Sequence, residues 1–340
     1  MNAFKVVLIA NDHPTPEWIP KKFAEAGITF VDRQCYSRKD LEECAADADV
    51  LWYMSSRKGL VVEENMDIFE KAGAAIKCGS GTDNIDHAAC TKRGIIVAHT
   101  PDDPTDPTSD HFIALLCTAI RRTARQDFLV RQGVWKATAA LPLARMSGAD
   151  LGLIGFGRIG RAVIQKLSGF KMNVRVYDPY VDAAVIEGGG GAKVTLEELL
   201  KAAQFVLVAC PLNDETRGLV GEKELRMMRP DAVLVNSARG GIVDEKALVR
   251  ALREHWILAA ALDVVANPPL DPSDELLSLE NLNITPHVGG YPYNYPDGLF
   301  YSSVDVIIEM SRMHLPRWIA NKGVVPKWKM TIQTGQGVQP

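Results

Sequence analysis

Short, unbroken apolar runs recur along this chain, each followed by a stretch with helical spacing. This alternation restricts the fold more than any other feature. Runs at 4–10, 28–31, 50–54, 75–78 and 95–98 read as strands. Residues 17–26, 38–48, 63–72 and 86–92 carry helical spacing between them. Strands that are apolar at successive positions are covered on both faces, which points to a parallel sheet with helical crossovers.

The texture changes at 100–107, where prolines at 101, 104 and 107 predict irregular chain between two domains. A long helix is expected over 108–131. A second series of strands follows at 151–154, 174–177, 205–210, 232–236, 259–264 and 283–285, and a final helix is expected over 294–313. Gly188 to Gly191 read as a flexible surface loop without a role. The length of 340 residues agrees with two domains. The expected class is therefore α/β, with two parallel-sheet domains of Rossmann-like or flavodoxin-like type and a cleft between them.

Composition removes several functional classes. Hydrophobic residues make up 47%, too many for a disordered chain, and the net charge of −4 offers no basis for nucleic-acid binding. No apolar stretch reaches the roughly 18 residues of a membrane span. The N-terminal apolar run is too short for a signal peptide, so a cytoplasmic protein is expected. No two of the six cysteines stand at Cys-x-x-Cys spacing, so no metal site is expected.

Gly155-Phe156-Gly157-Arg158-Ile159-Gly160 matches G-x-G-x-x-G. It follows an apolar run, opens a helical stretch, and is followed by an acid, Asp178, at the close of the next strand. That is the context of a dinucleotide site: Gly155 for the tight turn, Gly157 for close approach of pyrophosphate, Gly160 for helix–strand packing. Arg158 and Ile159 complete the loop. Asp178 would accept from the ribose hydroxyls and repel a 2′-phosphate, so NAD is the expected cofactor.

Three further segments stand at strand ends: Ser237-Ala238-Arg239-Gly240-Gly241 with Asp244-Glu245 beyond, Leu262-Asp263-Val264, and Thr285-Pro286-His287-Val288-Gly289-Gly290. With the glycine fingerprint, they make the chain resemble the D-isomer-specific 2-hydroxyacid dehydrogenases over nearly its whole length. Reducing a 2-oxo acid needs a cation for the carboxylate and a proton donor for the forming alkoxide. Arg239, with its planar fork, suits the first role, and His287 suits the second. The resemblance further implies cofactor contacts at Cys210, Pro211, Thr216, Ala238 and Asp263, with Asp263 facing the nicotinamide carboxamide. It implies substrate-carboxylate binding by backbone N–H groups of Gly79 and Ser80. His111 matches the family's Glu-His pair with Asp110 in place of Glu, and reads as a packing residue near the cofactor.

Two departures stand out. The family's acidic partner of the histidine falls at Pro268, which removes the usual carboxylate support for a charged His287. Asn267, in a loop one residue shorter, and Asp271, reaching back, are the alternatives. An NAD-sensing binding or scaffold protein is the rival function. The second departure is Tyr291, Tyr293 and Tyr295, which line either a larger pocket or a rigid Pro-Tyr turn. Tyr53, Met54 and Arg57 follow a first-domain strand and are expected to set substrate side-chain preference, Arg57 favouring an anionic or polyhydroxy group.

The resemblance assigns 1–105 and 290–340 to a substrate domain and 106–289 to the NAD domain, joined by two crossings that permit hinge closure. It also implies a homodimer formed with the arm 108–148. The expected partner is a small 2-oxo or 2-hydroxy acid, with no nucleic acid and no membrane.

Overall fold

The computed structural model describes residues 3–332, so the tips of the expected 1–105 and 290–340 segments lie outside the described residues. The chain divides into two compact units, one of residues up to Pro104 with those from Tyr291 onward, the other Thr105–Gly290. Each is built on a fully parallel sheet, the α/β class that the strand–helix alternation predicts.

The first unit holds β1 (Phe4–Asn11), β2 (Ile28–Asp32), β3 (Val50–Met54), β4 (Ala74–Lys77) and β5 (Ile96–His99) in the order β2-β1-β3-β4-β5. This is the flavodoxin-like order. The period of two along a strand explains why its runs are unbroken. Val7 and Ile9 of β1 enter the core on one face with Leu41 and Phe69, while Val6 and Leu8 enter the other with Phe23 and Trp52. The helix Tyr301–Ser311 sends Val304, Ile307 and Ile308 into that second face. Asn321 then accepts from the Val97 N–H and donates to the Ile95 carbonyl, so the late chain is bonded into the sheet edge.

The second unit holds β6 (Asp150–Ile154), β7 (Asn173–Tyr177), β8 (Ala192–Lys193), β9 (Phe205–Val208), β10 (Val233–Asn236), β11 (Ala259–Leu262) and β12 (Leu282–Ile284). Their order is β12-β11-β10-β9-β6-β7-β8. The sheet winds outward in both directions from β6, so the topological switch point lies between β6 and β9.

Several elements differ from the expectation. Residues 63–72 form one 3-10 turn, Glu63–Asn65, followed by further turns. Their N–H groups bond three residues back (Ile68 to Asn65, Phe69 to Met66, Ala72 to Phe69). The long helix is two helices, Thr105–Arg121 and Thr123–Arg131, broken at Arg122 with φ 51°. There the Ile120 carbonyl accepts from the Ala144 N–H at 3.0 Å instead of from the next helical turn. The first of these helices starts inside the proline-rich stretch. Pro107 falls in its first turn, where a missing N–H costs nothing. The final helix begins only at Tyr301, after Pro296 and a 3-10 turn at Asp297–Leu299.

The glycine run is also part of the packing. The helix Ala183–Gly188 leads into it, and a Cβ at Gly189 would stand 2.5 Å from the Phe156 ring of the fingerprint. Phe156 is 1% exposed, so the loop that was expected to be idle seats a fingerprint side chain. Among the described residues no helix is long and apolar enough to cross a membrane.

Candidate active site

The fingerprint turns directly off β6. Gly155 has φ 97°, and a Cβ there would stand 2.7 Å from the Cys210 backbone N at the end of β9. Gly160, one turn into the helix Arg158–Leu167, lies against the Gly155 carbonyl, where a Cβ would be 2.5 Å away. Gly157 is different. It caps this helix without a side-chain hydrogen bond and has open space where a Cβ would point. Uncapped N–H groups at an open helix N-terminus fit a pyrophosphate, so the loop suits the dinucleotide. Arg158 is exposed on the first turn, and Ile159 packs into the core.

Asp178 follows β7. Its Oδ2 accepts from the Phe156 N–H at 2.8 Å and its Oδ1 from the Tyr180 N–H at 2.9 Å. Each oxygen retains acceptor capacity for a ribose hydroxyl.

Asn236 closes β10 with no exposure. Its Oδ1 accepts from the Ala238 N–H at 3.0 Å and its Nδ2 donates to the Arg239 carbonyl at 2.9 Å. One buried amide thus shapes the turn that presents Arg239, whose Nη1 donates to the Ala238 carbonyl. Sequence reasoning passed over Asn236, although a polar side chain ending an apolar strand is a visible signal.

Asp263 organises the strand ends next to it. It is 2% exposed. Its Oδ1 accepts from the Thr285 hydroxyl (2.6 Å) and the Val288 N–H (2.9 Å), and its Oδ2 from the Gly289 N–H (2.9 Å) and the Ser237 hydroxyl (3.3 Å). His111 Nε2 lies 3.2 Å from Oδ1 and 2.9 Å from the Thr285 hydroxyl oxygen. Burial pushes the Asp263 carboxyl up, but His111, Thr285 and the two N–H groups outweigh it and hold it at about 2. Gly289 is required here, since a Cβ would fall 2.7 Å from the same carboxylate. His287 sits inside this knot with φ 56°, its N–H donating to the Asp263 carbonyl at 2.8 Å. Asp263 was expected to face the cofactor. Within the protein its side chain is bonded into the His287 loop, where His111 is a further polar partner.

Two other residues expected to meet ligands also bond within the protein. The Thr216 hydroxyl donates to the Pro211 carbonyl at 2.6 Å and accepts from the Asn213 N–H, so it folds its own loop. The Gly79 N–H donates to the Thr100 hydroxyl at 2.8 Å, and Gly79 serves the turn with φ 85°. For the Ser80 N–H no protein acceptor occurs among the described residues. Cys210 is nearly buried, and burial pushes its thiol up to about 11, so it acts as a small apolar wall.

The loop at Pro268 is exposed, and Asp271 accepts from Ser273 within its own turn. Glu245 enters this loop, accepting from the Ala266 N–H at 2.6 Å, and burial raises its carboxyl. In the first unit Arg57 donates to the Cys35 carbonyl at 2.6 Å, lies 4.1 Å from the Tyr36 ring centroid and faces Asp12 at 3.9 Å. Its donors and charge are thus partly matched within the protein. Tyr291 and Tyr295 stack at 5.0 Å with both hydroxyls 3.4 Å from His13 Nδ1, whereas Tyr293 is fully exposed. This is a packed aromatic turn.

Residues 113–289 match the sequence profile of the D-isomer specific 2-hydroxyacid dehydrogenase, NAD binding domain. Glyoxylate reductase of Pyrococcus furiosus is 35% identical over 297 residues, covering 85% of this chain and 87% of the relative. That of Thermococcus litoralis is 38% identical over 311 residues, covering 90% and 93%.

The chain belongs to the D-isomer-specific 2-hydroxyacid dehydrogenase family.

Solved structures of such dehydrogenases agree. A glyoxylate reductase from Paecilomyes thermophila superposes with a TM-score of 0.85 at 26% identity, over 94% of this chain and 99% of that one. An NADPH-dependent glyoxylate/hydroxypyruvate reductase from Sinorhizobium meliloti, in complex with NADP and malonate, gives a TM-score of 0.83 at 25% identity, over 97% and 100%. The chain is an NAD(P)-dependent 2-hydroxyacid dehydrogenase.

Proposed function

We propose that this 2-hydroxyacid dehydrogenase reduces small 2-oxo acids of the glyoxylate and hydroxypyruvate type and uses NADH in preference to NADPH. The observation that carries the reading is the single sheet edge in the second unit. The open helix N-terminus at Gly157, the Asn236-held turn of Arg239 and the Asp263-held loop of His287 all follow the C-terminal ends of its parallel strands, where such sheets bind ligands. A nicotinamide cofactor held at this edge would supply the hydride. Arg239 pairs with the substrate carboxylate and polarises the adjacent carbonyl, an arrangement its fork suits. His287 donates the proton to the forming alkoxide. Asp178 takes the ribose hydroxyls, and Ala238, Pro211 and Cys210 offer backbone and apolar walls to the cofactor.

The homodimer belongs to the same proposal. The helix Thr123–Arg131 buries none of its own residues, and Phe128, Val130, Trp135 and Leu141 are exposed at 52%, 47%, 89% and 53%. Large apolar side chains standing in solvent along 128–141 fit an arm that covers a second copy.

NADH and NADPH oxidation against glyoxylate, hydroxypyruvate, phosphohydroxypyruvate and sugar-derived 2-oxo acids tests the reading. Turnover of the two small acids with NADH is expected. Binding of NADH without turnover of any acid would overturn it in favour of a sensor.

A further inference from the structure

The adenosine end of the site has a feature that the fingerprint does not account for. The order β9-β6-β7 places the loops after β9 and β7 on opposite sides of the Gly155–Gly160 turn. A side-chain hydrogen bond spans that turn: the Tyr180 hydroxyl, from the β7 loop, donates to Glu215 Oε2 in the β9 loop.

Both ends of the bridge are anchored. The Tyr180 N–H donates to Asp178, and the Glu215 N–H donates to Asn213 Oδ1 at 3.0 Å. Asn213 and Thr216 close the β9 loop on the Pro211 carbonyl, so Glu215 projects from a folded turn. Asp178, the ribose-binding acid, and Glu215 are thus separated by one tyrosine side chain. In a dinucleotide fold the adenosine runs from the glycine turn toward the acid at the end of the second strand.

We propose that Tyr180 and Glu215 are specificity-determining residues for the cofactor. Their bridge fixes the width of the adenosine slot, and Glu215 brings a second carboxylate against any 2′-phosphate. The proposal rests on the NADH preference argued above and deepens it, because the preference then has two separable parts. Tyr180 and Glu215 are both exposed, so neither holds the core and their variants fold.

The test is cofactor affinity, measured by quenching of protein fluorescence with NADH and NADPH on the full chain. Glu215→Gln keeps an acceptor for Tyr180 and removes the charge. NADPH is expected to bind about 3–10-fold more tightly while NADH stays within about twofold, the size of an exposed charge effect. Tyr180→Phe keeps the charge and removes the bridge, so NADH binding is expected to weaken by about 3–10-fold, the size of one lost hydrogen bond. Asp178→Ser serves as the control for the underlying reading. If it relaxes the preference and Glu215→Gln does not, the proposal is wrong and the NADH reading stands. If the unmodified protein prefers NADPH, or Asp178→Ser changes nothing, the NADH reading itself fails. Equal gains for both cofactors in Glu215→Gln also overturn the proposal, since a 2′-phosphate effect cannot act on NADH.

Discussion

Replacing Asp263 by Asn removes one oxygen's worth of acceptor and a charge from the knot around His287. An amide set in the carboxylate's place must turn its NH2 toward either the Val288 or the Gly289 N–H, both now 2.9 Å from an acceptor. In either orientation a buried backbone donor faces another donor, which costs about 1–3 kcal/mol, and the other bonds lose their charge assistance. A second route gives a similar size. The carboxyl is lowered from 3.8 to about 2 in the folded chain, worth about 2–3 kcal/mol. The expected loss is therefore about 2–4 kcal/mol at pH 7, or roughly 5–12 °C in the melting of a unit this size.

The pH dependence has a definite sign. The folded carboxyl is the stronger acid, so its stabilisation is complete above about pH 5 and is lost as the pH falls through 4 toward 2. The gap between the parent and the Asn variant should then narrow by about 1 kcal/mol at pH 3. Urea unfolding followed by circular dichroism at pH 7 and pH 3 measures both quantities. A variant within about 0.5 kcal/mol of the parent at pH 7, or a gap that ignores pH, would refute the argument that this carboxylate is the keystone of the loop.

Three other variants examine separate parts of the picture. His287→Ala should lower kcat by about 10²–10⁴-fold with cofactor affinity retained, and a loss below tenfold in steady-state reduction would reject the proton-donor role. Gly189→Ala forces a methyl group against the Phe156 ring and should destabilise by about 1–3 kcal/mol. An unchanged thermal midpoint would mean that the glycine run is idle after all. Charging the exposed arm through Phe128→Asp with Trp135→Asp should give a folded monomer by light scattering, and a persistent dimer would place the interface elsewhere.

The strand and helix alternation was legible because each strand is covered on both faces, so its residues needed no partner information to be recognised. Val7 and Ile9 face one core and Val6 and Leu8 the other, and the run reads as apolar either way. Helix boundaries were less legible, because they depend on which distant group takes the last carbonyl. At the break at Arg122 the Ile120 carbonyl bonds Ala144 from a later segment, and no local spacing announces that. The site divides along the same line. Gly155, Gly160 and Asp178 could be read from sequence because local strand-turn-helix geometry fixes their surroundings.

For Asp263, Thr216 and Gly79 a motif gives a position and a chemical type, but not the acceptor or donor that each atom faces within the protein. All three bond within the protein: Asp263 to Val288 and Gly289, Thr216 to Pro211 of its own loop, and Gly79 to Thr100. A loop that must hold a ligand also has to hold its own shape, and buried polar atoms go first to the second task because an unmade buried bond costs more than a made one contributes. The residues proposed to meet the substrate stand at the ends of such loops, His287 beyond Asp263 and Arg239 beyond Asn236.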